Sequence, residues 1–326
     1  MEQQRHGGEL YRRMCALCHG ENGEGYKADL APALGGSGFQ ASVADEHLRA
    51  AITSGRSGTT MSAWSTQHGG PLSSSDIDAL IVFIRSWSDR PRAVLDESKL
   101  TGNATRGLGH FKKLCVRCHG SRGMGGPNMH IGNPQLLATA SNGFLRYTIG
   151  HGRSGTPMQS YTAVLADQGI DDVVAYLREL QAEATTQPPS AAPPPAPIPL
   201  GPVPLNPGGP APTGLLLFPA TTPADIIKAQ LDRKARVSLL DARTPSDYLV
   251  EHIAGAVSVP FYNPEPYFAA LPTDGWIVAY CACPHAESGA LAQKLLDHGF
   301  QQVAVLDEGF GVWKSKGYST RAGREP

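Results

Sequence analysis

A short motif of two cysteines and a histidine occurs twice in this chain, and its repetition constrains the fold more than any other feature. The two copies are Cys15-Ala16-Leu17-Cys18-His19 and Cys115-Val116-Arg117-Cys118-His119, which lie 100 residues apart. Each copy is followed by a Gly-rich stretch and then by a loop that ends in methionine, at residues 55–61 and 152–158. A unit of about 100 residues therefore occurs twice.

The chemistry of the motif predicts covalent haem attachment. Two thiols spaced by two residues lie about one helical turn apart and can bond the haem vinyl groups, and the next residue directs an imidazole at the iron. A zinc site would need two further ligands within about 20 residues, whereas the two cysteine pairs lie 100 residues apart. We predict two covalently bound haems c. The predicted residues are Cys15, Cys18, Cys115 and Cys118 for attachment, with His19 and His119 as iron ligands.

The sixth iron ligand is predicted to be a methionine in each unit. Met61 and Met158 lie 42 and 39 residues after their histidines, and both follow matching Gly/Ser-rich loops. A thioether ligand raises the reduction potential relative to a second histidine. Two alternatives stay open: the methionines fill the core, or His68, His130 or His151 is the distal ligand.

Both units are predicted to be helical. A helix leads into each motif, at residues 9–18 and 108–118, and a second helix closes each unit, at 76–87 and 170–180. The closing helices carry apolar residues at helical spacing, such as Ile77, Leu80, Ile81 and Ile84.

Together these features resemble class I cytochrome c in a tandem, dihaem form, over residues 7–90 and 104–182. The resemblance implies two all-α domains, at 1–92 and 100–183, that transfer single electrons to redox protein partners. It also implies that both axial positions of each iron are filled, so that the haems relay electrons and do not bind substrate.

A proline-rich stretch ends the repeats. Between Pro188 and Pro212, 12 of 25 residues are proline, and such a segment has no means to form a packed core. We predict an extended, polyproline-like spacer over residues 184–213.

Strand and helix patterns alternate in the remaining residues, 214–326. The predicted strands are Val237 to Asp241, Ala256 to Pro260, Trp276 to Tyr280 and Val303 to Leu306, with a helix from Ser288 to His298. Alternation of this kind predicts an α/β domain with a parallel sheet. The chain is therefore predicted to be multidomain.

The third domain resembles the rhodanese (sulfurtransferase) family. The resemblance covers residues 214–321. It rests on Leu240-Asp241-Ala242-Arg243, on Asp247-Tyr248, on Glu251-His252-Ile253-Ala254-Gly255-Ala256, on the strand that leads into Cys281, and on Asp307-Glu308-Gly309-Phe310 with Trp313. A cysteine between a strand and a helix N-terminus sits where backbone N–H groups stabilise a thiolate. Cys281 would take sulfane sulfur from thiosulfate, polysulfide or a persulfide and hold it as a persulfide.

The loop after Cys281 departs from the family pattern. It is one residue longer than usual and lacks the arginine that helps to bind an anionic donor, and Glu287 stands near that position. Three other interpretations of the loop stay open. Cys283 resolves a persulfide or sulfenate on Cys281; Cys281, Cys283 and His285 bind a soft metal; or the domain is a non-catalytic binding module. Asp241, Arg243 and His252 are predicted to be structural.

Charge and hydropathy bear on partners and location. The net charge is −1, from 28 Lys and Arg against 29 Asp and Glu, which gives no electrostatic basis for nucleic-acid binding. No apolar run reaches the roughly 18–20 residues of a membrane helix. No signal peptide is evident, yet haem c is attached outside the bacterial cytoplasm. We therefore expect a periplasmic or otherwise exported protein whose leader or lipid anchor was removed or missed in the gene start.

The predicted function is electron transfer linked to the oxidation of sulfur compounds, with Cys281 as the sulfur-handling residue. The alternative is a pure electron shuttle whose rhodanese-like domain docks a partner without catalysis.

Overall fold

The structure is a computed structural model that describes residues 1–26, 28, 30–185, 203–282 and 285–326. These residues form two compact units. The first comprises Met1–Met61 and residues 72–185, and the second comprises Ser62–Pro71 and residues 203–326. Most of the predicted spacer, 184–213, lies outside the described residues.

Two helical repeats make up the first unit. The helices of the first repeat are α1 (Glu2–Met14), α2 (Ala16–His19), α3 (Ser37–Ser42), α4 (Asp45–Ser54) and α5 (Ser74–Arg85); those of the second are α6 (Ala104–Leu114), α7 (Val116–His119), α8 (Pro134–Thr139), α9 (Asn142–His151) and α10 (Thr162–Thr185). The matching order of five helices in each repeat confirms the predicted helical N-terminal region.

The helix before each cysteine motif packs across the helix that closes its repeat. Gly7 of α1 lies against α5 so closely that a β-carbon at Gly7 would be 2.0 Å from the carbonyl oxygen of Ala79. Gly107 of α6 meets α10 in the same way, with a β-carbon 1.9 Å from the carbonyl oxygen of Asp172. The backbones can cross at this distance only because both positions lack side chains.

Aromatic rings extend each crossing toward the cysteine motif. Tyr11 of α1 meets Trp87, which follows α5, edge to face at 5.0 Å between centroids, and its hydroxyl donates to the carbonyl of Gly20 at 2.8 Å. Phe111 of α6 packs on Tyr176 of α10 at 5.2 Å. Each crossing therefore fixes the backbone that carries its motif.

The helices that lead into the motifs differ from the prediction. Instead of running through the motif, each ends one residue before the first cysteine, and a separate turn of helix carries the histidine. The break lies at Cys15 and Cys115, whose φ angles are −111° and −112°. Both cysteines still donate to the carbonyl four residues earlier, so the axis bends while the hydrogen-bonded ladder continues.

The second unit contains the predicted α/β domain. Its elements are β1 (Pro204–Leu205), β2 (Thr221–Thr222), α11 (Ala224–Asp232), β3 (Val237–Asp241), α12 (Pro245–Val250), β4 (His252–Ile253), β5 (Ala256–Ser258), β6 (Trp276–Tyr280), α13 (Ala286–Asp297), β7 (Val303–Leu306), α14 (Gly309–Ser315) and β8 (Thr320–Arg321). The main sheet has the order β1-β3-β6-β7-β2, with β5 also paired to β3.

Most strand pairs of the main sheet are parallel, as predicted. The pairs β3–β6, β6–β7, β2–β7 and β3–β5 are parallel, and β1 alone is antiparallel to its neighbour β3 within this sheet. The strand β1 lies within the predicted spacer, so the described part of that segment joins the domain. The core is formed by side chains such as Leu239, Val278 and Ala304, which the paired strands bury between the helices.

A short segment of the predicted first domain belongs to the second unit. It consists of Ser62–Pro71. Ser62 donates from Oγ to Oδ2 of Asp247 at 2.6 Å, and Trp64 packs on Tyr262 with 5.6 Å between ring centroids. No helix among the described residues is long and apolar enough to cross a membrane.

Candidate functional sites

The two motif histidines have the same environment. Nδ1 of His19 lies 2.9 Å from the carbonyl oxygen of Pro32, and Nδ1 of His119 lies 2.9 Å from that of Met129. A carbonyl oxygen only accepts, so each Nδ1 carries the proton and each Nε2 keeps a lone pair for a metal. Burial lowers the pKa of both histidines and so favours this neutral form.

Each histidine is fixed next to its pair of thiols. The N–H of His19 donates to the carbonyl of Cys15 at 2.9 Å, and His119 does the same to Cys115 at 2.9 Å. Burial raises the pKa of the Cys15 thiol to about 12 and that of Cys115 to about 11. Such thiols stay protonated at neutral pH, and thioether bonds would remove the ionisable groups altogether.

The two methionine loops have identical hydrogen bonds. The N–H of Arg56 donates to the carbonyl of Met61 at 2.8 Å, and Arg153 donates to Met158 at 2.7 Å. A threonine inside each loop accepts from the methionine N–H at 3.2 Å, Thr59 in the first loop and Thr156 in the second. Each methionine therefore ends a closed loop of the same shape.

The rival histidines are placed differently from the methionines. His68 and His151 are exposed, and His151 bonds the carbonyl of Tyr147 in its own helix. His130 directly follows Met129, whose carbonyl accepts from His119. That contact places the backbone next to His130 against the ring of His119.

Two buried nitrogen atoms near His119 lack hydrogen-bond partners among the described residues. They are Nη1 of Arg153 and Nδ1 of His130. Arg153 also lies 4.8 Å from the ring centre of Phe39 and 5.5 Å from that of Phe144. A buried guanidinium needs acceptors, and haem carries two propionate carboxylates that would supply them. The residues present therefore fit a bound haem.

Arg153 and its counterpart Arg56 were missed at the sequence level. Both belong to the repeated Gly-Arg-Ser-Gly-Thr segments that precede Met61 and Met158. The repeat was the signal that could have found them, because an arginine kept in two matching loops next to a predicted ligand has a shared role.

In the second unit, Cys281 occupies the predicted position between β6 and α13. Its side chain is fully buried, at 0% exposure, and its Sγ lies 3.4 Å from Oγ of Ser288. His285 is exposed, with Nδ1 3.9 Å from a carboxylate oxygen of Asp307. Cys283 lies outside the described residues, so the dithiol and soft-metal interpretations stay predictions.

A buried polar network includes Tyr280, the residue that precedes Cys281 in the chain. Asp241 accepts from Nε of Arg243 at 2.9 Å, from its Nη2 at 2.6 Å and from the hydroxyl of Tyr280 at 2.7 Å. The N–H of Ile253 donates to the same hydroxyl at 3.0 Å. The Asp241 carboxylate raises the pKa of Arg243, and burial raises that of Tyr280. Every member is partnered, which suits a structural role.

The two repeats have matching histidine and methionine environments, which define a cytochrome c region. The mostly parallel α/β domain that follows has a cysteine after a central strand, which defines a rhodanese-like domain. The family model of cytochrome c oxidase, cbb3-type, subunit III matches residues 2–84 and 102–177. The model of the rhodanese-like domain matches residues 223–316. The chain thus belongs to the cytochrome c family in its N-terminal region and to the rhodanese-like family in its C-terminal domain.

Several curated relatives match a stretch of about 90 residues of this chain. The thiosulfate sulfurtransferase GlpE of Pseudomonas fluorescens is 30% identical over 88 residues, which span 27% of this chain and 80% of that protein. GlpE of Coxiella burnetii is 30% identical over 87 residues, which span 26% and 79%. A solved rhodanese-like domain from Anabaena is 28% identical, covers 31% of this chain and 78% of that chain, and has a TM-score of 0.29.

Proposed function

We propose that this chain is an exported electron carrier with two covalently bound haems c, joined to a domain that handles sulfane sulfur at Cys281. The observation that carries the haem part is the equivalence of the two sites. Both motif histidines bond a backbone carbonyl at 2.9 Å, and both methionines end loops with the same hydrogen bonds. Selection for one cofactor in two places explains this equivalence.

The protein residues have distinct parts in this function. When bound, each haem supplies a one-electron iron couple. His19 and His119 would bind iron through Nε2, with their rings held by the carbonyls at Nδ1. Met61 and Met158 would supply thioether ligands to the iron, which favour its reduced form and raise the potential. Arg153 and His130 would donate to propionates.

The haem count tests the first part of the proposal. The full chain, made in a host that attaches haem c, is expected to give two haems per polypeptide in a pyridine haemochrome assay. Replacing Cys15 and Cys18 with Ala should leave one haem, and replacing Cys115 and Cys118 should do the same. Colourless protein, or one haem in the unmodified chain, would contradict the proposal.

The sulfur part rests on Cys281 and on the relatives named thiosulfate sulfurtransferase. The thiolate would attack the outer sulfur of thiosulfate; the sulfur–sulfur bond of the donor breaks, a persulfide forms on Cys281, and sulfite leaves. Cys281 is fully buried, so transfer requires a conformational change that exposes its Sγ to the donor. This transfer releases no electrons, and haem reduction would need later oxidation of the sulfur or a separate dehydrogenase.

Mass spectrometry separates this proposal from a pure electron shuttle with a docking domain. Incubation with thiosulfate or polysulfide is expected to add one sulfur atom to the peptide that contains Cys281, and Cys281→Ser should abolish the addition. An unmodified peptide with every donor would favour the shuttle. The segment after Cys281 lacks the usual arginine, and Glu287 is buried in the first turn of α13, so we expect the dianion thiosulfate to load slowly.

The proposed location is the bacterial periplasm or another exported compartment. Its support is the haem chemistry, because maturation of haem c takes place outside the cytoplasm. Fractionation of cells that make the native gene product should recover the coloured protein outside the cytoplasm. Recovery in the cytoplasmic fraction would contradict export.

A further inference from the structure

The loop that ends at Met61 is held by side chains of the other repeat. The N–H of Ser57 donates to Oε1 of Gln135 at 2.9 Å, and Nε2 of Gln135 donates back to Oγ of Ser57 at 2.7 Å. Nδ2 of Asn133 donates to the carbonyl of Ser57 at 2.9 Å. Two side chains of the second repeat thus bond the N–H, the carbonyl and the hydroxyl of Ser57.

Asn133 is fixed in position before it reaches the loop. Its Oδ1 accepts from the N–H groups of Gln135 and Leu136, each at 3.1 Å, and so caps α8. Its side chain has 0% exposure. The side chain of Asn133 is therefore already ordered, and its Nδ2 donates to Ser57 at little additional cost in conformational entropy.

A second contact joins the same loop to the second repeat. Nη2 of Arg56 lies 3.1 Å from Nε2 of His47, and Nδ1 of His47 lies 2.9 Å from Oγ1 of Thr139. Arginine only donates, so His47 accepts at Nε2 and donates at Nδ1 to Thr139. Both Arg56 and Ser57 are thereby tied to α8 and its cap.

The matching loop of the second repeat is not held in this way. Ser154 occupies the position that corresponds to Ser57, is exposed, and makes no side-chain hydrogen bond to another of the described residues. The two loops share their internal hydrogen bonds, but the second loop meets the other repeat through Arg153 near the ring of Phe39 and not through hydrogen bonds at its serine. A comparison of the two loops therefore separates the effect of the hydrogen bonds to Ser57 from the effect of the bonds inside each loop.

We propose that Gln135 and Asn133 are positioning residues for Met61, so that methionine ligation in the first haem site depends on the second repeat. Ser57 is bonded to Arg56, and the N–H of Arg56 closes the loop on the carbonyl of Met61 at 2.8 Å. A loop held at Ser57 cannot swing open without breaking these contacts. The proposal rests on the proposed haem function, in which Met61 binds iron.

Competition by exogenous imidazole for the iron of the holoprotein tests this proposal. Gln135→Ala removes two hydrogen bonds and is expected to raise the apparent affinity for imidazole about tenfold at one of the two haems. Ser57→Ala should have a smaller effect in the same direction. Ser154→Ala is the matched control and should change neither haem. Gln135→Glu should restore the unmodified behaviour, because its carboxylate accepts from both the N–H and the hydroxyl of Ser57.

Reduction potentials provide a second readout. Weaker methionine ligation lowers the potential, so Gln135→Ala should lower one of the two midpoints and leave the other in place. NMR signals of the two iron-bound methionine methyl groups in the reduced protein report the two loops separately.

The outcomes separate failure of the inference from failure of the proposed function. If the unmodified protein holds two haems with methionine ligation and Gln135→Ala changes neither imidazole affinity nor potential, the positioning role is wrong. An unmodified protein without methionine ligation at the first haem would overturn the proposed function instead, and the inference with it.

Discussion

His47 is a buried histidine whose protonation should make stability depend on pH. Its side chain is 7% exposed, and burial together with the nearby Arg56 lowers its pKa from 6.5 to about 4. The unfolded chain therefore binds a proton near pH 6.5 that the folded chain binds only near pH 4. Stability from this residue is fully present above pH 6.5 and is lost as pH falls toward 4, by about 3 kcal/mol.

Denaturant titrations of the holoprotein at pH 7, 5 and 4 measure this dependence. His47→Gln keeps a donor and an acceptor but has no proton to gain, so its free energy of unfolding should fall less over the same range. The comparison cancels the contribution of all other groups. Equal losses in the two proteins would show that His47 does not titrate in this way.

Replacement of Arg243 is expected to destabilise the second unit strongly. Arg243→Met leaves the carboxylate of Asp241 buried without its counter-ion, and loss of one partner of a buried ion pair costs about 3–5 kcal/mol. Chemical denaturation followed by tryptophan fluorescence measures the loss. Asp241→Asn in the same chain should recover part of it.

A surface ion pair provides the comparison for Arg243. Lys316 bonds Asp225 at 2.8 Å on the exposed side of the same unit, and Lys316→Met should change stability little because solvent screens the pair. Similar losses for the two variants would mean that the Asp241 network adds no special stability.

At the scale of elements, each crossing of two helices depends on one glycine, Gly7 in the first repeat and Gly107 in the second. Gly107→Ala would place a β-carbon 1.9 Å from the carbonyl oxygen of Asp172, so α6 and α10 must separate, at a cost of about 2–4 kcal/mol. Gly109 lies on the same helix, and a β-carbon there meets nothing within 4 Å. Gly109→Ala should instead stabilise α6 by up to about 1 kcal/mol.

Thermal unfolding followed by circular dichroism distinguishes the two glycine variants. Gly107→Ala should lower the midpoint, and Gly109→Ala should hold or raise it. A Gly107→Ala protein as stable as the unmodified chain would show that the crossing has room to relax.

Elements differ in how well the sequence predicted them, and burial explains the difference. The strands at 237–241, 276–280 and 303–306 match the prediction because strands covered on both faces read as continuous apolar runs. The start of α1 at Glu2 was not predicted, because its early turns are polar and their support comes from packing on α5. The spacing of apolar residues along the chain indicates which residues are buried, but it does not indicate which helix or strand they pack against.

The same limit applies to the candidate sites. The motif cysteines, the histidines and the two methionines follow from repetition along the chain. The bond from Gln135 to Ser57 joins residues 78 positions apart, and neither residue type is distinctive. Such contacts depend on how the two repeats pack, which the spacing of residues in one chain does not encode.

At the scale of the whole molecule, the residues proposed for electron transfer and those proposed for sulfur handling belong to different parts of the chain and should be separable by mutation. Reduction potential depends on axial ligands, nearby charge and solvent exclusion, and Cys281 is proposed for none of these roles. Cys281→Ser replaces a buried side chain with one of similar size. We therefore expect both haem midpoints to stay unchanged while sulfur loading is lost.

Spectroelectrochemical titration of the full chain, with intact mass measured before and after exposure to polysulfide, tests this separation. Ser288→Ala is the matched variant, because it removes the hydroxyl 3.4 Å from Sγ but keeps the thiol, and it should slow sulfur loading without preventing it. A shift of either midpoint in Cys281→Ser would show that the cysteine contributes to a haem environment. Sulfur loading that survives Cys281→Ser would move the proposed chemistry to another residue.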